Sequence, residues 1–249
     1  MNRRPAILRE MGLAPLWRLR CSTVAGRTDA EAPVSESHLP PQPEKARVQP
    51  VINVPVQSHT EDAVVAAGLD WDALEAAIRE CHACRLHERR NKAVPGVGDR
   101  QADWLFVGEG PGAEEDQRGE PFVGQAGKLL DAMLASIGLA RGSNVYIANA
   151  VKCRPPGNRT PEADEIATCQ PYLERQIALI QPRIIVALGR PAAQTLLGCE
   201  VKINAVRGRL LDHGGIPVVV TYHPAYLLRN PHDKAKAWED LCFARASLG

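Results

Sequence analysis

The sequence is poor in aromatic residues, in net charge and in long apolar runs. Phe, Trp and Tyr together make up 4% of the 249 residues, so a ring set among glycines is conspicuous. Net charge is +1, which excludes a globally basic nucleic-acid binder and leaves only a local basic patch for that role. No stretch approaches the ~20 apolar residues that span a bilayer. The basic start, Met1-Asn-Arg-Arg-Pro5, lacks the apolar core and small-residue cleavage site of a secretory signal. The expectation is a cytoplasmic chain whose seven cysteines are not paired as disulfides.

Composition divides the chain. Residues 1–66 are rich in Pro, Ala, Glu and Gln, including Pro40-Pro41-Gln42-Pro43, and predict a flexible extension. Residues 67–249 are long enough for one α/β domain. Within the extension, Met11 to Arg20 is more apolar than its surroundings and is a candidate docking peptide for a protein partner.

The second part alternates short apolar runs with helical periodicity. Trp71, Leu74 and Ile78 recur at helical spacing and lead to Cys81. Trp104–Val107, Val145–Ala148, Ile184–Leu188 and Pro217–Val220 predict four strands. Between them, Leu129 to Ile137 forms a helical pattern stopped by Gly138, and Pro191 to Leu197 one stopped by Gly198. Thr160-Pro161, followed by Glu162, Asp164 and Glu165, marks a helix start: a cap, a first-turn proline and acids at the positive end of the dipole. The alternation predicts a four-stranded, mainly parallel sheet covered by helices on both faces.

Ligands of such sheets bind beyond the carboxyl ends of the strands. There the chain places Glu109, Asn149, Gly189 and His223, so a carboxylate, an amide and an imidazole converge. The loop after the first strand, Gly108-Glu-Gly-Pro-Gly-Ala-Glu-Glu-Asp116, continues into Gly119-Glu-Pro-Phe-Val-Gly124. Such glycine-rich turns bring backbone N–H groups against a ligand. The carboxylates and the exposed-looking Phe122 suit a flat polar ligand stacked on a ring better than a bare phosphate. Gly108, Gly110 and Gly112 miss the dinucleotide-binding spacing, and Gly124-Gln-Ala-Gly-Lys128 lacks the spacer and Ser/Thr of a P-loop.

Cys81-His-Ala-Cys84 is a C-x-x-C pair, Cys153 follows the second strand and Cys169 lies on the helix after Thr160. Four thiolates so distributed suit tetrahedral zinc or an iron–sulfur cubane equally by spacing. Cys21, Cys199 and Cys242 read as free thiols. Lys152, Arg154 and Arg159 sit on a Pro/Gly-stiffened loop between two of the candidate ligands and are expected to contact phosphates. Arg207 and Arg229 extend that basic rim, and Tyr226-Leu227-Leu228 beside it is a candidate wedge between base pairs.

In order, C-x-x-C, GEGPGAEED, GEPFVGQAG, NAVKCRPPGNRTP, Cys169 and HPAYLL closely resemble the family 4, iron–sulfur uracil-DNA glycosylases, over roughly Cys81 to the C-terminus. The resemblance implies that superfamily's three-layer α/β fold and a [4Fe-4S] cluster on Cys81, Cys84, Cys153 and Cys169. It implies excision of uracil from single- or double-stranded DNA by a monomer, with no membrane partner and association with the nucleoid. Phe122 would stack on the everted base and Asn149 bond its Watson–Crick edge. Glu109 and Gly110 would line the sugar side, and His223 would face uracil O2. Other branches carry an Asp or Asn at the position of Gly110, so the water-activating group is Glu109 first, then Glu115 or Asp116, which otherwise fix the loop. A related group traps its product through a histidine on the loop after the second strand; residues 154–160 contain none, so repeated turnover is expected.

Overall fold

The computed structural model describes Ala66 and residues 68–248. The Pro/Ala-rich extension, its Met11–Arg20 segment and Cys21 lie outside the described residues. Among those described, no helix is long and apolar enough to cross a membrane.

The first helix, α1 (Trp71–Glu80), is capped by Asp70, whose carboxylate accepts the Ala73 N–H. A 3-10 turn (Arg85–Arg89) leads to edge strand β1 (Val97–Gly98) and then β2 (Trp104–Gly108). Next come α2 (Ala113–Arg118), α3 (Gln125–Ser136) and β3 (Val145–Asn149). The chain continues through α4 (Ala163–Ile180), β4 (Ile184–Leu188), α5 (Arg190–Leu197) and the single turn α6 (Ile203–Val206). A hairpin, β5 (Leu211–His213) and β6 (Ile216–Thr221), precedes α7 (Pro224–Arg229) and α8 (Lys234–Ser247).

The sheet has six strands in the order β1-β3-β2-β4-β6-β5. The four central strands are parallel, as expected, while β1 and β5 add antiparallel edges. These two were not anticipated, because two or three residues carry no periodicity. Residues of β2, β3 and β4 are buried throughout, since helices cover both faces. Phe106, Ile147, Val186 and Val219 face α3, α7 and α8. Leu105, Ala148, Ala187 and Val220 face α4 and α5. A third cluster joins Leu74 and Ile78 of α1 to Val151, Cys153 and Cys169.

Register places the site. Gly108 of β2 pairs with Asn149 of β3, and Leu188 of β4 with Thr221 of β6, so four chain exits line one edge of the sheet. The α4 helix begins two residues later than its sequence signals suggest. Glu162 is its cap and Glu165 accepts the Glu162 N–H at 2.8 Å. Thr160 is thereby released to hydrogen-bond the Glu109 side chain.

Candidate active site

A cavity of about 980 Å³ opens at the carboxyl ends of the parallel strands. Glu109, Gly110, Phe122, Asn149 and His223 all line it, so the predicted pocket residues are brought together.

Asn149 ends β3 and is 2% exposed. Its Oδ1 is the one buried side-chain polar atom without a hydrogen-bond partner among the described residues. Leaving such an atom unpaired costs about 1–3 kcal/mol, a cost a ligand donor can remove. Gly108 beside it must lack a side chain: a Cβ there would lie 2.4 Å from Asn149 Oδ1 and 2.6 Å from Phe122 Cζ.

Phe122, expected to be exposed, is 6% exposed and held at φ +54°, an uncommon conformation for a non-glycine residue. Three contacts hold it there. Glu115 accepts the N–H groups of Gly112, Val123 and Gly124 at 3.1, 2.9 and 3.1 Å. Arg141 donates to the Pro121 and Phe122 carbonyls at 2.9 and 2.8 Å. Gly127 lets the Phe122 carbonyl lie where a Cβ would be 1.7 Å away. The Phe122 and His223 rings then stand 5.5 Å apart, tilted by 31°.

His223 caps α7. Its Nδ1 accepts the Ala225 N–H at 3.1 Å, which puts the neutral ring's proton on Nε2. Burial, reinforced by the Arg229 charge, pushes its pKa down to about 4. A neutral imidazole therefore faces the cavity, as an N–H donor. Burial raises the Glu109 pKa, against the Thr160 hydrogen bond and the Arg190 charge that favour its carboxylate. Gly110 has no room for the acid of other branches, because even a Cβ would lie 2.8 Å from Val151 Cγ2.

Asp116 does not face the cavity. It is 1% exposed and accepts the Asn91 N–H at 2.8 Å and a bond from the Asn91 side chain. Glu115 and Asp116 are therefore both engaged in holding loops.

The basic rim expected from the sequence is mostly turned inward or paired. Lys152 is 1% exposed, and its ammonium donates to the Asn149 carbonyl and to Gln176 at 2.8 and 2.6 Å. It is an internal strut of the amide and does not reach DNA. Arg207 is bound to Asp240, Glu239 and the Lys236 carbonyl, with its guanidinium over Tyr222. Arg159 lines the cavity but is held by Glu165 at 2.7 Å. Arg154 donates to Asn158 at 2.8 Å. Arg229 is exposed at the cavity rim, joined there by Arg190, which opens α5 between Gly189 and Pro191, and by Lys202, two positions that the sequence motifs do not single out. In the Tyr226–Leu228 segment, Leu228 projects outward at 43% exposure, whereas Leu227 is packed inside and Tyr226 is tied to Asp233.

Three of the four cysteines meet at the third core cluster, and Cys81 follows the end of α1. Cys153 and Cys169 are buried and Cys84 packs against them. Burial raises the Cys84, Cys153 and Cys169 pKa values, that of Cys169 to about 12, and each charge further raises its neighbours'. Three N–H groups point at sulfur: Arg90 Nη1 at Cys153 (3.0 Å), the Lys152 amide at Cys169 (3.2 Å) and the Leu86 amide at Cys84. Among the described residues, no three His, Cys, Asp or Glu side chains are drawn together as the ligands of a single ion would be. Cys199 and Cys242 are free thiols.

Comparison with known proteins agrees with this geometry. Residues 95–242 match the Uracil DNA glycosylase superfamily. The type-4 uracil-DNA glycosylase of Thermotoga maritima is 50% identical over 61% of this chain and 80% of its own length. Those of Archaeoglobus fulgidus and Pyrobaculum aerophilum are 47% and 42% identical, over 64% and 70% of this chain and 85% and 92% of theirs. On these matches the chain belongs to the uracil-DNA glycosylase superfamily and, within it, to the type-4 uracil-DNA glycosylases.

Proposed function

We propose that the chain everts uracil from DNA and hydrolyses its N-glycosidic bond, leaving an abasic site. The observation that carries the reading is the unpaired, buried Oδ1 of Asn149 beneath Phe122. Uracil offers that amide a complementary edge: its N3–H donates to Oδ1 and its O4 accepts from Nδ2. Cytosine presents the opposite pattern, an acceptor at N3 and a donor at C4, and leaves both amide groups unsatisfied. The base reaches the pocket only outside the stack, at a cost of a few kcal/mol.

In the reaction the C1′–N1 bond breaks and its electron pair leaves with the base. His223 Nε2–H, directed at O2, stabilises that anion as it forms. A donor of this kind is worth about 3–4 kcal/mol. Water attacks the oxocarbenium-like C1′ from the Glu109 side, its proton passing to the carboxylate. Phe122 holds the ring in plane, and the Lys152 ammonium fixes the Asn149 backbone. Arg229, Arg190 and Lys202 supply positive potential for flanking phosphates, in single or double strands of the nucleoid.

A [4Fe-4S] cluster on Cys81, Cys84, Cys153 and Cys169 is part of the same reading. The N–H donors of Arg90 and Lys152 suit thiolate sulfur, and the thiols' looser grouping suits a core larger than one ion. Bound there, it would clamp the end of α1, the loop after β3 and α4 together.

The test is excision from a uracil-containing oligonucleotide by wild type, Asn149→Ala, Phe122→Ala and His223→Ala. Each variant is expected to stay folded and lose about 10²–10³ in rate. Near-wild-type rates for Asn149→Ala and His223→Ala would overturn the pocket assignment.

A further inference from the structure

A second cleft, of about 770 Å³, opens at the β1 edge of the sheet. Its floor is the turn 95–98, which lies against Tyr146 only because Gly96 has no side chain: a Cβ would be 2.7 Å from that ring. Its walls are cationic. Arg79, Arg90, Lys92, Arg100 and Arg118 face two carboxylates, Glu75 and Glu120.

Three of these cations are already engaged. Arg79 and Arg100 share Glu75, and Arg90 donates to Cys153 Sγ and to the Arg79 carbonyl. The Lys92 ammonium and the Arg118 guanidinium have no hydrogen-bond or ion-pair partner among the described residues. Both are exposed, and the Lys92 methylenes pack over Gly119, next to Arg118. Two free cations lining one basic cleft attract a phosphate.

Helix α2 links this cleft to the first one. Gly112, its N-cap, lines the uracil cavity, and Gly119, its C-cap, lines the second cleft. Six residues at 1.5 Å each span about 9 Å, close to three base-pair rises of B-form DNA. The Asn91–Asp116 hydrogen bonds hold the Lys92 segment against the same helix.

We propose that Lys92 and Arg118 form a second backbone-phosphate site, taking a phosphodiester about three nucleotides from the everted uracil. The proposal rests on the uracil-DNA reading above. It predicts that DNA extending past the uracil binds more tightly than DNA that ends beside it.

The experiment compares wild type with Lys92→Glu/Arg118→Glu on uracil oligonucleotides of about four and about twenty nucleotides. On the short substrate the two proteins should share the same kcat and KM. On the long one, wild type should gain affinity and the variant should bind roughly tenfold more weakly. The variant's log–log salt slope should fall by about two. Equal length dependence and salt slope in both proteins would overturn the second site. Failure of wild type to excise uracil at both lengths would instead overturn the glycosylase reading. A thermal shift of wild type by tripolyphosphate, with no difference between the proteins on DNA, would show a free phosphate ligand and overturn the DNA assignment.

Discussion

Asn149 presents an unpaired, buried amide oxygen to the cavity, and His223 a neutral imidazole. Asn149 and His223 fall just past predicted strands, and the parallel sheet delivers them to one cavity. Lys152 was misplaced because a lysine beside arginines looks like surface, and nothing local announces that Gln176, 24 residues on, will receive its ammonium. The protonation state of His223 was equally hidden, since it depends on what buries the ring. With a pKa near 4 against an ordinary 6.5, His223 stays neutral in the folded protein while the unfolded chain takes up a proton below pH 6.5. The stability it contributes is therefore full above pH 6.5 and is lost as pH falls toward 4. Urea midpoints of wild type should drop more between pH 7 and pH 5 than those of His223→Gln. Excision by wild type should show no inflection near pH 6.5 from this group. A rate that falls as pH rises through 6.5, with no such fall in His223→Gln, would mean that the charged imidazole is the working form.

Long, strongly patterned elements were foreseen, while short ones and the side chains that brace loops were not. The four central strands are continuous apolar runs, whereas β1 and β5 are edge pieces defined only by their partners. Arg141 was missed for a related reason. It sits 19 residues past Phe122, in a turn without a motif, yet its guanidinium holds two consecutive carbonyls of the Phe122 loop and pairs with Asp131 of α3 at 3.0 Å. Charge-assisted bonds of this type contribute about 1.5–3 kcal/mol each when buried and less in this part-exposed setting. Arg141→Ala should release Phe122 from its positive φ, weaken stacking on the base and lower kcat/KM by tenfold or more, mainly through KM. Arg141→Lys, keeping one donor, should recover part of that loss. Equal destabilisation in both variants with unchanged KM would reduce Arg141 to a structural tie.

At the scale of the whole domain, the Asn149 cavity and the cysteine corner are two ends of one short connection. Three residues separate Asn149 from Cys153, and Lys152 among them grips the Asn149 carbonyl with its side chain while its amide donates to Cys169. Helix α1 closes this corner from outside: Leu74 and Ile78 are fully buried against the third core cluster, and Arg100 lies over Trp71 while pairing with Glu75. The relatives align with 61–70% of the chain, and the family match covers residues 95–242, outside the extension. These facts set two truncations apart. A chain of residues 67–249 should fold, retain iron and excise uracil at the full-length rate. A chain of residues 82–249, which lacks α1 and Cys81, should uncover Leu86, Val151 and Cys169 and lose iron. It should also unfold at markedly lower temperature, because burying two such aliphatic side chains alone stabilises by about 3–6 kcal/mol. Iron per chain, melting temperature and excision rate, measured on both, decide the matter. A 67–249 chain without activity would place an essential part of the enzyme in the extension, and a stable, iron-replete 82–249 chain would remove α1 from the fold's necessary parts.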